Sequence, residues 1–245
     1  MNSRTTPSPS KAPPSERVGA GIYRDGTYLE KRPTWHAQDS PWKASQILKM
    51  LTRNGIQPES LCEVGCGAGA ILAELAARFP ETPAVGYEIS PQAYELCSKQ
   101  ARRNLRFELR DILETSDFYH VIMAIDVFEH VEDYIGFLRK LRQHGRYQLF
   151  HIPLDLSVQT VFRASPLRKV REEVGHLHYF TKETALRSLE TAGYRVVDWF
   201  YTLHEPWRRH ALAKLAYLPR RIALAIHQDL AVRLLGGCSL MVLSE

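Results

Sequence analysis

The sequence predicts an α/β fold: a seven-stranded, mostly parallel sheet covered by helices on both faces in a three-layer sandwich. Three observations predict it. Short apolar runs of strand length alternate with stretches whose apolar residues recur at helical spacing. Cap and turn residues such as Asn54-Gly55, Ser90-Pro91 and Gly193 separate them. The chain has 245 residues, 44% of them hydrophobic, which suffices for one such domain with insertions. Strands that alternate with helices pair in parallel, because each crossover helix returns the chain to the same sheet edge.

In chain order, Ser40-Pro41-Trp42 reads as an N-cap, a first-turn proline and a helix start. Ile47, Leu48 and Leu51 continue that helix, and Asn54-Gly55 ends it. Residues 61–64 form a short buried strand, 70–78 an apolar helix that stops before Pro80, and 84–87 a second strand. A helix capped by Ser90 covers 91–102 and leads to a third strand at 105–109. The run YHVIMAI at 119–125 is a fourth, strongly apolar strand. A helix at 134–144 and a fifth strand at 147–152, closed by Pro153, follow it. Thr181 caps a helix over 181–192, which Gly193 ends. The last two strands lie at 194–203 and 238–243. No internal repeat is present.

Two segments interrupt the alternation, at 155–174 and 204–237, and long connections in compact domains are often functional. The second is apolar and basic: Arg208, Arg209, Lys214, Arg220, Arg221 and Arg233 face only Glu205 and Asp229. It reads as a helical insertion before the last strand, broken near Pro219. A substrate lid or dimer element, a core-covering helix and contact with a membrane surface are its three readings. The domain plan is therefore a disordered Pro/Ser-rich tail at 1–18, a strap or lid with a helix at 19–57, and the α/β domain at 58–245. Tyr28, Trp35, His36 and Trp42 make the strap unusually aromatic.

Composition excludes several classes. The net charge is +5 and the pI near 9.0, but Lys and Arg are dispersed, so no strong nucleic-acid signal is present. The four cysteines, Cys62, Cys66, Cys97 and Cys238, do not form a disulfide framework, which points to a reducing cytoplasm. The N-terminus lacks the apolar core of a signal peptide, and no apolar run reaches the ~18 residues of a membrane span.

The stretch LCEVGCGAGAIL, at 61–72, carries the function. Glycines after a first strand let the backbone approach a ligand, and the next helix presents free N–H groups to it. A dinucleotide fingerprint is G-x-G-x-x-G, and here Ala70 takes the third place, which is tolerated. The carboxylate of Glu63, within the strand end, suits that reading less well. The Gly-Lys-Ser/Thr of a P-loop is absent.

Glu63-Val64-Gly65-Cys66-Gly67-Ala68-Gly69 instead resembles the first motif of class I S-adenosylmethionine (SAM) methyltransferases. The resemblance covers roughly 40–203 and includes further motifs in order: VGYEIS at 85–90, RDIL at 110–113, IDVFEHVEDY at 125–134 and HYFTKETALRSLETAGYRVV at 178–197. It implies a Rossmann-like fold whose last strand is antiparallel, SAM as cofactor and methyl transfer as activity. It further implies that Gly65, Gly67 and Gly69 approach the cofactor and that Glu63 faces its methionine ammonium. Glu88 would accept from both ribose hydroxyls, and Asp111 would hold the adenine amino group. The neighbouring Ile89 and Ile112 belong with those acids, and Asp126 flanks the methionine part.

A general base matters only where the acceptor arrives protonated. His130 and His151, after the fourth and fifth strands, are the candidate catalytic residues. His176 and His178 are further candidates with a more structural character. Asp126, Glu129 and His130 resemble a cluster linked to a divalent metal in ubiquinone-type catechol O-methyltransferases. The same Glu-His-Val is widespread in SAM enzymes without metal, so no metal ligand is assigned and a divalent ion stays the lesser alternative. The expected acceptor is a small molecule, methylated at oxygen rather than nitrogen on the resemblance alone. A methyltransferase of protein or RNA and a non-catalytic SAM-binding subunit are the rival readings.

Overall fold

The computed structural model describes residues 37–203 and 220–245. The 1–18 tail, the strap residues Tyr28, Trp35 and His36, and the 204–219 part of the basic insertion with Pro219 lie outside the described residues.

The elements are α1 (Ser40–Arg53), β1 (Leu61–Val64), α2 (Ala70–Arg78), β2 (Ala84–Glu88), α3 (Pro91–Cys97), β3 (Leu105–Leu109), β4 (Tyr119–Ile125), α4 (Tyr134–Leu141), β5 (Gly145–Pro153), α5 (Val158–Arg163), α6 (Ser165–Glu173), α7 (Lys182–Thr191), β6 (Val196–Thr202), α8 (Gln228–Leu235) and β7 (Ser239–Ser244). The seven strands form one sheet in the order β3-β2-β1-β4-β5-β7-β6. The first five run parallel, and β7 pairs antiparallel with both β5 and β6. The sequence reading of the fold therefore holds.

Alternation along each strand divides the core into two layers. Val121, Met123 and Ile125 of β4 meet α1 and α2 through Ile47, Met50, Leu72 and Leu75. Ile122 and Ala124 face the other way, onto Leu138 and Leu141 of α4 and Ala185 and Leu189 of α7. All four cysteines are buried thiols.

The differences from expectation lie at element ends. Ser40 is the first residue of α1 rather than its cap; Asp39, at the end of a 3-10 turn, holds the cap position, and its side chain does not cap the helix. The helices expected to reach 102 and 144 tighten into 3-10 turns at Ser98–Gln100 and Arg142–His144, where the chain bends into the next strand. Strand β5 is longer than expected because β4 and β7 pair with its two edges. Ser90 and Thr181 do cap their helices, accepting from the backbone N–H of Ala93 and Thr184. The 155–174 insertion is α5 and α6, joined at Ala164 with φ +55°. Residues 220–226 are helical as well.

Candidate active site

At the carboxyl end of β1 the chain turns through Gly65, Gly67 and Gly69, with φ of +62°, +55° and +73°. Such angles favour glycine strongly. A Cβ on Gly65 would lie 3.2 Å from Val127 Cγ2, and one on Gly69 2.7 Å from the Phe107 ring. Gly69 thus closes α2 onto β3, while Gly65 and Gly67 line a cavity of about 400 Å³. Trp42, Lys43, Glu63, Glu88, His130 and His151 line it as well.

Glu63 sits inside β1, 2% exposed, and its Oε2 has no hydrogen-bond partner. Burial pushes its carboxyl up to about 8, and the nearby Lys43 ammonium opposes this only in part. Glu88 ends the adjacent strand. Its Oε1 accepts from Ile89 and Ser90 N–H and its Oε2 from Gly67 N–H, all at 2.8 Å. Burial raises its pKa and these three bonds hold it down. A carboxylate has about four acceptor positions, so Oε2 retains room for one further donor.

The end of β4 is strained. Asp126 has φ +55°, a region that non-glycine residues enter at a cost of ~1–3 kcal/mol. Its carboxylate is held from two sides: Oδ1 lies 2.6 Å from His151 Nδ1 and Oδ2 2.6 Å from Lys43 Nζ of α1. Burial works against its charge, but His151 and Lys43 win and keep the acid well below its ordinary range. Lys43 is also pushed up, Asp126 outweighing its burial. His151 Nε2 meets Thr202 Oγ1 at 2.8 Å, so both ring nitrogens are engaged. The Trp42 ring packs edge-on to the imidazole.

A second group centres on His130, which also lines the cavity. His130 donates through Nδ1 to the Gly175 carbonyl at 3.1 Å; burial, then His176, lower its pKa to about 4. His176 lies beside it and directs Nδ1 to Asp155 Oδ2 at 2.6 Å. Glu129 is fully buried, and neither of its carboxylate oxygens has a hydrogen-bond partner. His178 is turned away, onto the carbonyls of Val131 and Glu132.

The structure thus brings Glu63, Gly65, Gly67, Glu88, Ile89, Asp126, His130 and His151 to one cavity. Asp111 and Ile112 are not among the residues that line it. Asp111 turns back to accept from Leu113 N–H at 2.9 Å, and Ile112 is fully buried in the core. Asp126 does not join Glu129 and His130 either; His176 does. Lys43 and Thr202 went unforeseen. A lysine in the first turn of a helix and a threonine at a strand end are too common to signal a site.

Comparison with known proteins follows the same lines. The family described as "Methyltransferase domain" matches residues 35–198. Trans-aconitate 2-methyltransferase of Deinococcus radiodurans is 32% identical over 84 residues, covering 34% of this chain and 33% of that protein. The chain thus spans about a third of the length of the curated relative it matches. Among solved structures, the N-methyltransferase NodS of Bradyrhizobium japonicum, in complex with S-adenosylhomocysteine, superposes with a TM-score of 0.58 at 17% identity over 90% of this chain and 98% of that one. Magnesium protoporphyrin IX methyltransferase of Synechocystis, also with bound S-adenosylhomocysteine, gives 0.57 at 13% identity over 94% and 95%. Such identities show a shared fold, and the family match covers most of the chain: this protein belongs to the methyltransferase-domain family, the class I SAM-dependent transferases.

Proposed function

We propose that the chain transfers the methyl group of SAM to a carboxylate oxygen of a small-molecule acceptor. SAM supplies an activated methyl on a sulfonium, so the protein's work is to bind, align and exclude water. The orphaned Oε2 of Glu63 on the cavity wall fits the ammonium of the cofactor's amino-acid part. The remaining position on Glu88 Oε2 fits one ribose hydroxyl, and the positive-φ turn at Gly65 and Gly67 leaves the backbone bare for close approach.

One observation carries the acceptor reading: neither of the two expected bases, His151 and His130, is suited to deprotonating an acceptor. His151 has both nitrogens bound, to Asp126 and Thr202, which makes it a positioning residue for the aspartate. His130 is held at a pKa of about 4, too low to draw a proton from a phenol or an ammonium. A carboxylate arrives already ionised and needs no base. The Lys43 ammonium on the wall offers it a cation. The partial relative from Deinococcus radiodurans, whose name cites a carboxylic acid, supports the same class.

The test is incubation with methyl-labelled SAM and pools of carboxylic acids, phenols and amines. Label that mild alkali releases as methanol marks a methyl ester and is the expected result. Alkali-stable label, an ether or a methylamine, overturns the acceptor reading. A methyltransferase of protein or RNA would label macromolecules in an extract instead.

A further inference from the structure

We propose that Glu129, His130 and His176 form a binding site for a divalent first-row transition-metal ion. One ligand atom from each lies within 4.8 Å of the others. Two are imidazole nitrogens and one is a carboxylate oxygen, a donor set that suits zinc and iron(II) and leaves further positions open.

The histidines are already oriented for it. A carbonyl oxygen can only accept, so His130 carries its hydrogen on Nδ1, toward Gly175 at 3.1 Å. His176 does the same toward Asp155 Oδ2 at 2.6 Å. Each Nε2 therefore bears the lone pair that a metal needs. Anchoring one ring nitrogen on a carbonyl or carboxylate is how ligating histidines are held in other metal sites.

Glu129 supplies the independent observation. It has no exposure, and both of its carboxylate oxygens lack a hydrogen-bond partner. An unsatisfied buried carboxyl is costly whether ionised or neutral, and each such group in a native protein asks for an explanation. Its Oε1 lies 3.9 Å from His130 Nε2. That is too long for a hydrogen bond, yet two ligands of one ion, each ~2.0–2.2 Å from it, can span such a gap. Asp126 takes no part, being held by Lys43 and His151.

His130 and His176 both line the cavity, so the open coordination positions face the acceptor's space. An acceptor with a second oxygen donor would bind the ion through that group and present its carboxylate for methylation. This last step rests on the acceptor reading above; the metal site itself does not.

The experiment uses the full chain, stripped with a chelator and titrated with Co²⁺ or Zn²⁺ in the absence of acceptor. Ligand-field absorption and metal analysis after desalting report binding. S-adenosylhomocysteine calorimetry reports an intact fold and cofactor site. Wild type is expected to retain one ion per chain. Glu129→Gln and His176→Gln lose affinity by roughly 100-fold or more, while Asp155→Asn, which only loosens His176, loses the ~10–100-fold typical of an outer partner. If a variant fails to fold, pulsed spectroscopy of the wild-type metal complex decides, since two imidazole nitrogens must couple to the ion. Wild type that binds S-adenosylhomocysteine but no metal overturns the proposal. So does a folded Glu129→Gln or His176→Gln variant with unchanged affinity.

Discussion

Glu63→Gln should make the ligand-free protein more stable and the cofactor site much weaker. The native carboxyl titrates near 8, against 4.5 for the free group, because burial penalises its charge. Between those two pH values the folded protein holds a proton that the unfolded chain releases. Stability therefore falls as pH rises from 4.5 toward 8, by ~1.4 kcal/mol per pH unit. At pH 7 the interval is 2.5 units, so the wild-type acid costs roughly 3 kcal/mol. A glutamine never ionises and escapes that cost. The unsatisfied amide it leaves carries a penalty of its own, but one independent of pH. The quantity to measure is thus the stability difference between variant and wild type, by urea unfolding at several pH values from 4.5 to 8. It should grow in the variant's favour by roughly 3 kcal/mol between pH 4.5 and pH 7. In thermal unfolding that corresponds to about 6–12 °C for a domain of this size. A difference that stays flat with pH would refute the reasoning, since it would mean that Glu63 is not desolvated in the folded protein. On the proposed reading, the same variant also removes the counter-charge for the cofactor's ammonium. Loss of one partner from a buried charge pair costs ~2–5 kcal/mol, so affinity for SAM should fall by roughly 30-fold or more. In the wild type, binding of the ammonium ionises Glu63 and releases a proton below pH 8, visible as buffer-dependent heat in calorimetry.

Other outcomes follow from the site. Lys43→Met should raise KM for a carboxylate acceptor by about 10-fold or more while S-adenosylhomocysteine affinity is kept, as steady-state kinetics and calorimetry would show, because a charge-assisted contact is worth ~1.5–3 kcal/mol. At saturating cofactor, kcat should be flat from pH 6 to pH 8; an inflection within that range that disappears in His151→Gln would instead make that histidine the base. Thr202→Val should reduce stability by ~1 kcal/mol and lower kcat through the loosened imidazole. Gly69→Ala should cost ~1–3 kcal/mol of stability, read as a lower urea midpoint at unchanged slope, since its Cβ would lie 2.7 Å from Phe107 in a backbone with φ +73°.

The strands were legible because their signal is local. The run at 119–125 is strongly apolar and, His120 apart, buried, and β4 has those ends. The helix ends were less so. Ser40 before Pro41 has the chemistry of a cap, but a preceding 3-10 turn shifts the helix start by one residue. At the site, glycine spacing and the acids at the ends of β1 and β2 placed Glu63, Gly65, Gly67 and Glu88 on one wall. Motif position could not tell where a side chain turns. Asp111 stands at the expected position along the chain, and its Oδ1 accepts from the backbone N–H of Leu113. Lys43 reaches Asp126, and Thr202 reaches His151, across long stretches of sequence. No pattern within a motif encodes such pairings; the sheet order creates them.

That sheet order has a consequence for biogenesis. β7 comes after every other strand in the chain but lies between β5 and β6. Until residues 239–244 leave the ribosome, β6 has no neighbour among the described strands, and the edge of β5 that β7 will occupy stands open. The nucleotide half, from β3 to β4, can assemble during synthesis; the bond between His151 and Thr202 spans the place of the missing strand and must wait. A nascent chain stalled before β7 would hold a formed glycine turn beside an incomplete acceptor wall, and its bare strand edges would be the surface that chaperones meet.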